Sequence, residues 1–364
     1  MKHDPGPEAR VDGPRCGLGG APLVEEAQAA IVTEDPRTDH SHAPGGARPA
    51  AGAAPSAHRE GTRHPRRSSI PDRPSWSAGP LGALLERAVA GLGLVAPGHL
   101  REIDAEVEAR IARSPMDLNE YGYDPWGFQR DVARRAMVLS TLLYRHYFRV
   151  ETTGIGNVPA GRVLLISNHA GQVAIDGVMI ATACLLEAEP PRLPRAMGEY
   201  WLPTLPFVNV LMVRTGSVVG TPRNCVDLLE RGEAVLAFPE GVRGMNKSFT
   251  ERYRLMRFGH GFMRLALQTD TPIVPIAVVG SEEQMPSLGD FRPLARLLGM
   301  PAFPLVLTPL PLPVRYHVRF GEPMRFTGSH ADEDAIVGEK VRQVKSRIRA
   351  MLDEGLRARR GIFA

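Results

Sequence analysis

The 364-residue sequence is poor in cysteine, with only Cys16, Cys184 and Cys225. Three thiols, odd in number and far apart, give neither a disulfide framework nor a metal-ligand spacing, and they suit a reducing cytoplasm. A long apolar run is also missing. No stretch reaches the ~18 uninterrupted apolar residues of a membrane-crossing helix, and the start "MKHDPGPEAR" lacks the apolar centre of a secretory signal. Charge of one sign is scarce as well. A formal net charge of +4 and a pI near 9.1 are too weak to argue for nucleic acid. They are compatible with an anionic membrane surface. No internal repeat is visible.

Composition divides the chain. Residues 1–78 are rich in Ala, Gly, Pro, His and Arg and hold ten Lys/Arg against ten Asp/Glu. Such a segment buries too little apolar surface to offset its ordering entropy, so it reads as a disordered tail. Its His40–Ser41–His42 and Arg63–Arg67 stretches then read as solvated. Residues 79–118 carry helical spacing in "LGALLERAVAGLGL" and "PGHLREIDAEVEARIARS", which predicts a helical hairpin. In "DPWGFQRDVARRAMVLSTLLYRHYF", Asp124 is the expected N-cap and Pro125 the first residue of an amphipathic helix.

Beyond this point strands and helices alternate. Strands are expected at 162–167, 211–214, 234–238, 273–279 and 314–320. Helices are expected at 173–186, from Thr221-Pro222 to Glu230, at 261–268 and at 332–356. The pattern predicts an α/β fold, a mixed and mostly parallel sheet covered by helices, over 119–364.

Three polar clusters stand where apolar runs end. "LLISNHAGQVAIDG" places His169 just past a buried strand, where α/β folds bind ligands. If Asp176 takes a hydrogen bond from one ring nitrogen, the other is left as a base. A continuous helix would separate the two by about 10.5 Å of rise, so the intervening "AGQVA" must turn back, and Gly171 can permit that. "AVLAFPEGVRG" gathers Glu240, Gly241 and Arg243 after another strand. Arg243 can clamp a phosphate, and Glu240 can accept hydrogen bonds from substrate hydroxyls. Arg214 closes a third run. No nucleophilic serine elbow is present and no cysteine lies near these clusters, so a substrate hydroxyl is the natural partner of the base.

Taken in order, these blocks resemble the glycerolipid (lysophospholipid) acyltransferases over roughly 120–360. Asn168, His169 and Asp176 match the family's Asn-His-x4-Asp block, with six residues between His and Asp rather than four. Val208–Arg214 loosely matches Gly-x-x-Phe-x-x-Arg. Phe238–Gly244 closely matches Phe-Pro-Glu-Gly-[Thr/Val]-Arg-[Ser/Gly], and "TPIVPIAVVG" matches the fourth block with Pro272 and Pro275. The resemblance implies that His169 is the catalytic base and Asp176 its orienting partner. It also implies that Arg214, Glu240, Gly241 and Arg243 bind the acceptor, with backbone N–H groups near Gly241 facing the developing oxyanion. It implies acyl-CoA or acyl carrier protein as co-substrate, with no other cofactor and no metal.

The expected activity is acyl transfer to a glycerolipid such as lysophosphatidate, with a neutral acylglycerol or other alcohol as the alternative acceptor. Readings of another class are a thioesterase and a non-catalytic lipid-binding protein. The proline-interrupted apolar segments 200–213 and 299–313 suggest shallow insertion at the inner face of the cell membrane, with Tyr200 and Trp201 at the headgroups.

Overall fold

The computed structural model describes residues 98–363 except 171–172, 206 and 298–302. The tail 1–78, the first half of the expected helical hairpin and the turn residue Gly171 lie outside the described residues. The described chain opens with α1 (His99–Arg113), whose Leu100, Ile103, Val107 and Ile111 fall on one buried stripe. That stripe packs with Phe128, Ala133, Met137 and Val138, most of them on α2 (Arg130–Leu142), to form a separate apolar cluster. α2 runs on through a π-helical turn at Leu143–Tyr147.

Asp124 does not cap α2, which opens six residues later. Its Oδ1 accepts the N–H groups of Trp126 (2.9 Å) and Phe128 (2.8 Å). Its Oδ2 pairs with the guanidinium of Arg195, a side chain only 2% exposed. Gly127, at φ 91°, turns the chain out of helical conformation between them. The acid thus stabilises a loop instead of a helix start.

The remaining chain alternates as follows: β1 (Glu151–Thr153), β2 (Val163–Ser167), α3 (Ile175–Glu187), β3 (Arg195–Gly198), α4 (Val208–Arg214), β4 (Val218–Val219), α5 (Pro222–Glu230), β5 (Ala234–Ala237), the single turn α6 (Val242–Met245), α7 (Gly261–Thr269), β6 (Ile273–Val279), β7 (Ser287–Asp290), α8 (Arg292–Leu297), β8 (Pro304–Val306), β9 (His317–Phe320) and α9 (Asp334–Ala358). Seven strands make one sheet in the order β1-β9-β6-β2-β5-β3-β4, and β7 pairs with β8 apart from it. Neighbours from β6 through to β4 are parallel, while β9 meets β6 antiparallel and pairs with β1 in parallel. The fold is therefore the expected mixed, mostly parallel sheet.

β2 and β6 are buried at every residue. One face of the sheet packs against α5, α7 and α9 through residues such as Leu229, Met263 and Val344. The other packs against α3 and the segment following α2 through Met179, Ile180 and Phe148. Burial on both faces explains the unbroken apolar runs of these strands.

The strand expected at 211–214 is instead part of helix α4. A seven-residue run such as "VNVLMVR" fits either period. Here the helical choice leaves Val210, Leu211 and Val213 in solvent, and the strand itself comes four residues later, at β4. The start of α5 follows its local chemistry: the Thr221 hydroxyl accepts the Asn224 N–H at 3.1 Å, and Pro222 takes the first helical position.

Candidate active site

Five parallel strands point their C-terminal ends to one rim, and the polar clusters gather there. β2 delivers Asn168 and His169. Asn168 is fully buried, and its amide extends the sheet. Its Oδ1 accepts the Val278 N–H at 2.9 Å and its Nδ2 donates to the Val278 carbonyl at 3.1 Å. The side chain thereby replaces a peptide group in the β2–β6 ladder and fixes where the chain leaves the strand.

His169 comes next, 6% exposed. Its Nδ1 lies 2.8 Å from Asp176 Oδ2. Asp176 stands in the first turn of α3, completely buried, and the same oxygen accepts the Ala170 N–H at 2.9 Å while Oδ1 accepts the Gly177 N–H at 2.8 Å. A carboxylate is favoured there by the helix dipole. With Asp176 as acceptor, Nδ1 carries the hydrogen and Nε2 keeps its lone pair. Nε2 has no hydrogen-bond partner among the described residues. The imidazole stacks on the Phe238 ring, centroids 4.0 Å apart and planes 22° from parallel.

The segment after β5 wraps beneath this pair. Gly241 adopts φ 55° and ψ −149°, a conformation costly for any side chain. Its own N–H donates to the Phe238 carbonyl at 3.0 Å, so that N–H is occupied within the turn and does not face an oxyanion. Gly244 packs directly on the histidine. A Cβ built there would stand 2.9 Å from His169 Cβ, 2.9 Å from Glu240 Cβ and 3.0 Å from the His169 carbonyl oxygen.

Glu240 departs from its expected role. It is 3% exposed. Its Oε1 accepts the backbone N–H of His169 at 3.0 Å and its Oε2 that of Met256 at 2.7 Å. The carboxylate is thus committed to main-chain groups and not presented to substrate hydroxyls. Arg243 is exposed on α6. Arg214 is exposed too, but it ends a helix, and its carbonyl accepts the Gln129 N–H at 3.0 Å. Arg223 is exposed in the first turn of α5, four residues after β4.

Two further groups lie under the site. Lys247 Nζ is 2.9 Å from Glu282 Oε1 and 3.7 Å from Glu240 Oε2, and all three side chains are at most 5% exposed. Burial pushes the Glu282 carboxyl up to about 7, against the pull of Lys247. Burial likewise raises the Cys184 and Cys225 thiols to about 12, which leaves them unreactive. Among the described residues no three His, Cys, Asp or Glu side chains gather as a metal-binding set, and no helix is long and apolar enough to cross a membrane.

Comparison with known proteins gives the chain a family. Residues 149–279 match the family model described as Acyltransferase. An uncharacterised protein of Mycobacterium tuberculosis is 35% identical over 283 residues, covering 73% of this chain and 78% of that protein. One of Mycobacterium leprae is 38% identical over 259 residues, covering 68% and 70%. The mouse protein named DGAT1/2-independent enzyme synthesizing storage lipids is 24% identical over 206 residues, covering 56% and 60%. The crystal structure of the 1-acyl-sn-glycerophosphate (LPA) acyltransferase PlsC of Thermotoga maritima superposes with a TM-score of 0.44 at 17% identity, covering 77% of this chain and 97% of that one. The chain is a member of the acyltransferase family, an enzyme that transfers acyl groups.

Proposed function

We propose that this enzyme moves a fatty acyl chain from an acyl thioester, either acyl-CoA or acyl carrier protein, to a hydroxyl of a glycerolipid. The observation that carries the reading is the buried His169–Asp176 pair just past the end of β2, with no described residue hydrogen-bonded to Nε2. In the reaction Nε2 removes the proton of the acceptor hydroxyl as its oxygen attacks the thioester carbonyl carbon. Asp176 holds the ring and stabilises the imidazolium. Collapse of the tetrahedral adduct breaks the C–S bond, and the imidazolium returns the proton to the leaving thiolate. The products are an ester and a free thiol, with no acyl-enzyme. Glu240 acts from beneath as a positioning residue for the His169 backbone.

Lysophosphatidate is the first reading of the acceptor. Arg243 and Arg223, both exposed, are suited to fork onto a phosphate, with Arg214 as a further candidate. A neutral acylglycerol is the second reading, favoured by the distant relatives named for storage-lipid synthesis. The apolar side chains of α4 and of the segment from β8 to Leu310 support docking on a membrane surface. Phe207 is 87% exposed and Leu310 is 73% exposed.

Thiol release from acyl-CoA tests the reaction. Release only when an acceptor is added supports transfer, release without acceptor makes the protein a thioesterase, and none makes it a lipid binder. Catalytic efficiency with lysophosphatidate over that with monoacylglycerol then tests the acceptor. Arg243→Ala and Arg223→Ala should collapse that ratio if a phosphate is held. Equal losses on both lipids would leave the neutral acceptor standing.

A further inference from the structure

Beneath Glu240 the interior holds charged groups, Lys247 and Glu282, that the proposed chemistry does not use. Lys247 is the one lysine among the buried residues described. Its ammonium links carboxylates from two distant segments: Glu240 after β5 and Glu282 after β6. It also donates to the Arg254 carbonyl at 3.3 Å. Each acid in turn holds main chain. Glu240 takes the N–H groups of His169 and Met256, and Glu282 takes that of Tyr253 at 2.7 Å. A chain of hydrogen bonds joined by one ion pair, Lys247 to Glu240 at 3.7 Å, therefore runs from the 253–256 loop through Lys247 to the backbone of the residue that carries the imidazole.

Burying one ammonium among two carboxylates is costly unless it has a geometric return. The return here falls on His169, whose ring is fixed from one side by Asp176 and whose main chain is fixed from the other by Glu240. We infer that Lys247, backed by Glu282, is a positioning residue for His169, acting through Glu240. This rests on the proposed acyl transfer for its kinetic consequence but not for its structural one. Without Lys247, the partly exposed Lys345 is a cation still within Coulombic reach of Glu240, farther into solvent than the buried ammonium it would replace. Glu240 then loosens its hold on the His169 N–H. A misplacement near 1 Å at the reacting group lowers turnover about 10²-fold.

The test is a double-mutant cycle of Lys247→Met and Glu240→Gln, read as kcat and KM with acyl-CoA and a lipid acceptor, beside amide hydrogen exchange at His169. Methionine matches the unbranched lysine stem. Glu282, already near 7, is driven further up once its cation is gone and becomes a neutral acid, so the Lys247→Met protein is expected to fold. The expected result is a fall in kcat of about 10²-fold with KM changed less than about threefold. The double variant should lose no more than the worse single one, because both act on one contact. Protection of the His169 amide should drop at least tenfold. Unchanged exchange at that amide, losses that multiply, or a change in KM alone would overturn the inference. If the wild type transfers no acyl group, the proposed reaction fails and the exchange measurement alone decides the positioning claim.

Discussion

Replacing Gly244 by alanine adds a single carbon and should still disable the enzyme. Carbon atoms rest comfortably at about 3.5–4.0 Å, whereas the new Cβ would find the His169 and Glu240 Cβ atoms at 2.9 Å and the His169 carbonyl oxygen at 3.0 Å. The shortfall is about 0.6 Å, and two of the three atoms belong to His169. None is the far end of a flexible side chain. The histidine backbone must therefore move by roughly that distance while Asp176 and Asn168 hold on either side. A 1 Å displacement costs about 10²-fold, so about tenfold is expected in kcat at saturating donor and acceptor. Overpacking of this kind typically destabilises by ~1–3 kcal/mol. Alanine's better helix propensity within α6 offsets that by at most ~1 kcal/mol. Continuous detection of the released thiol gives kcat, and thermal denaturation gives the stability change. Turnover within twofold of wild type and an unchanged melting temperature would refute the reasoning, because the loop would then absorb the carbon without moving the imidazole.

His169→Ala should lower turnover by ~10²–10⁴-fold with the fold intact by circular dichroism, and Asp176→Asn should leave more residual activity. Asp124→Ala strands the buried Arg195 guanidinium and should cost ~3–5 kcal/mol in urea denaturation. A change under 1 kcal/mol would mean the loop re-pairs it. Glu282→Gln tests pH linkage. Its carboxyl is raised from 4.5 to about 7 by burial, so it favours folding below pH 4.5 and loses that contribution as pH rises through 7. The stability of wild type relative to Glu282→Gln should therefore fall by up to about 3 kcal/mol between pH 4.5 and 7. A flat difference would show that Lys247 fully compensates the burial.

What was legible in the sequence follows the range of the interactions involved. α5 could be placed because Thr221 and Pro222 specify its start within three residues. β6 could be placed because a strand covered on both faces must be apolar throughout. The proximity of His169 and Asp176 was a local requirement as well, a turn of seven residues. Asp124 was misplaced because its partner, Arg195, lies 71 residues away, and a cap and a loop anchor have the same local spelling. Glu240 was assigned to substrate because the His169 N–H and Lys247–Glu282 that engage it belong to the folded packing, not to its neighbours. Residues 211–214 were given as a strand because an apolar Val-rich run usually marks buried structure, whereas here they belong to a solvent-facing helix.

The amide of Asn168 fastens the end of β2 to Val278 on β6, 110 residues downstream. The histidine is thus given its place by a contact that cannot exist until the late strand has docked. A nascent or refolding chain holding every residue from His169 to Arg243 has the chemistry in its sequence but no geometry to use it. Recovery of activity should therefore lag the appearance of helix signal and coincide with protection of the β6 amides. A chain stopped before residue 273 should be inert toward thioesters however well its first strands form. The enzyme becomes reactive only when its sheet is complete.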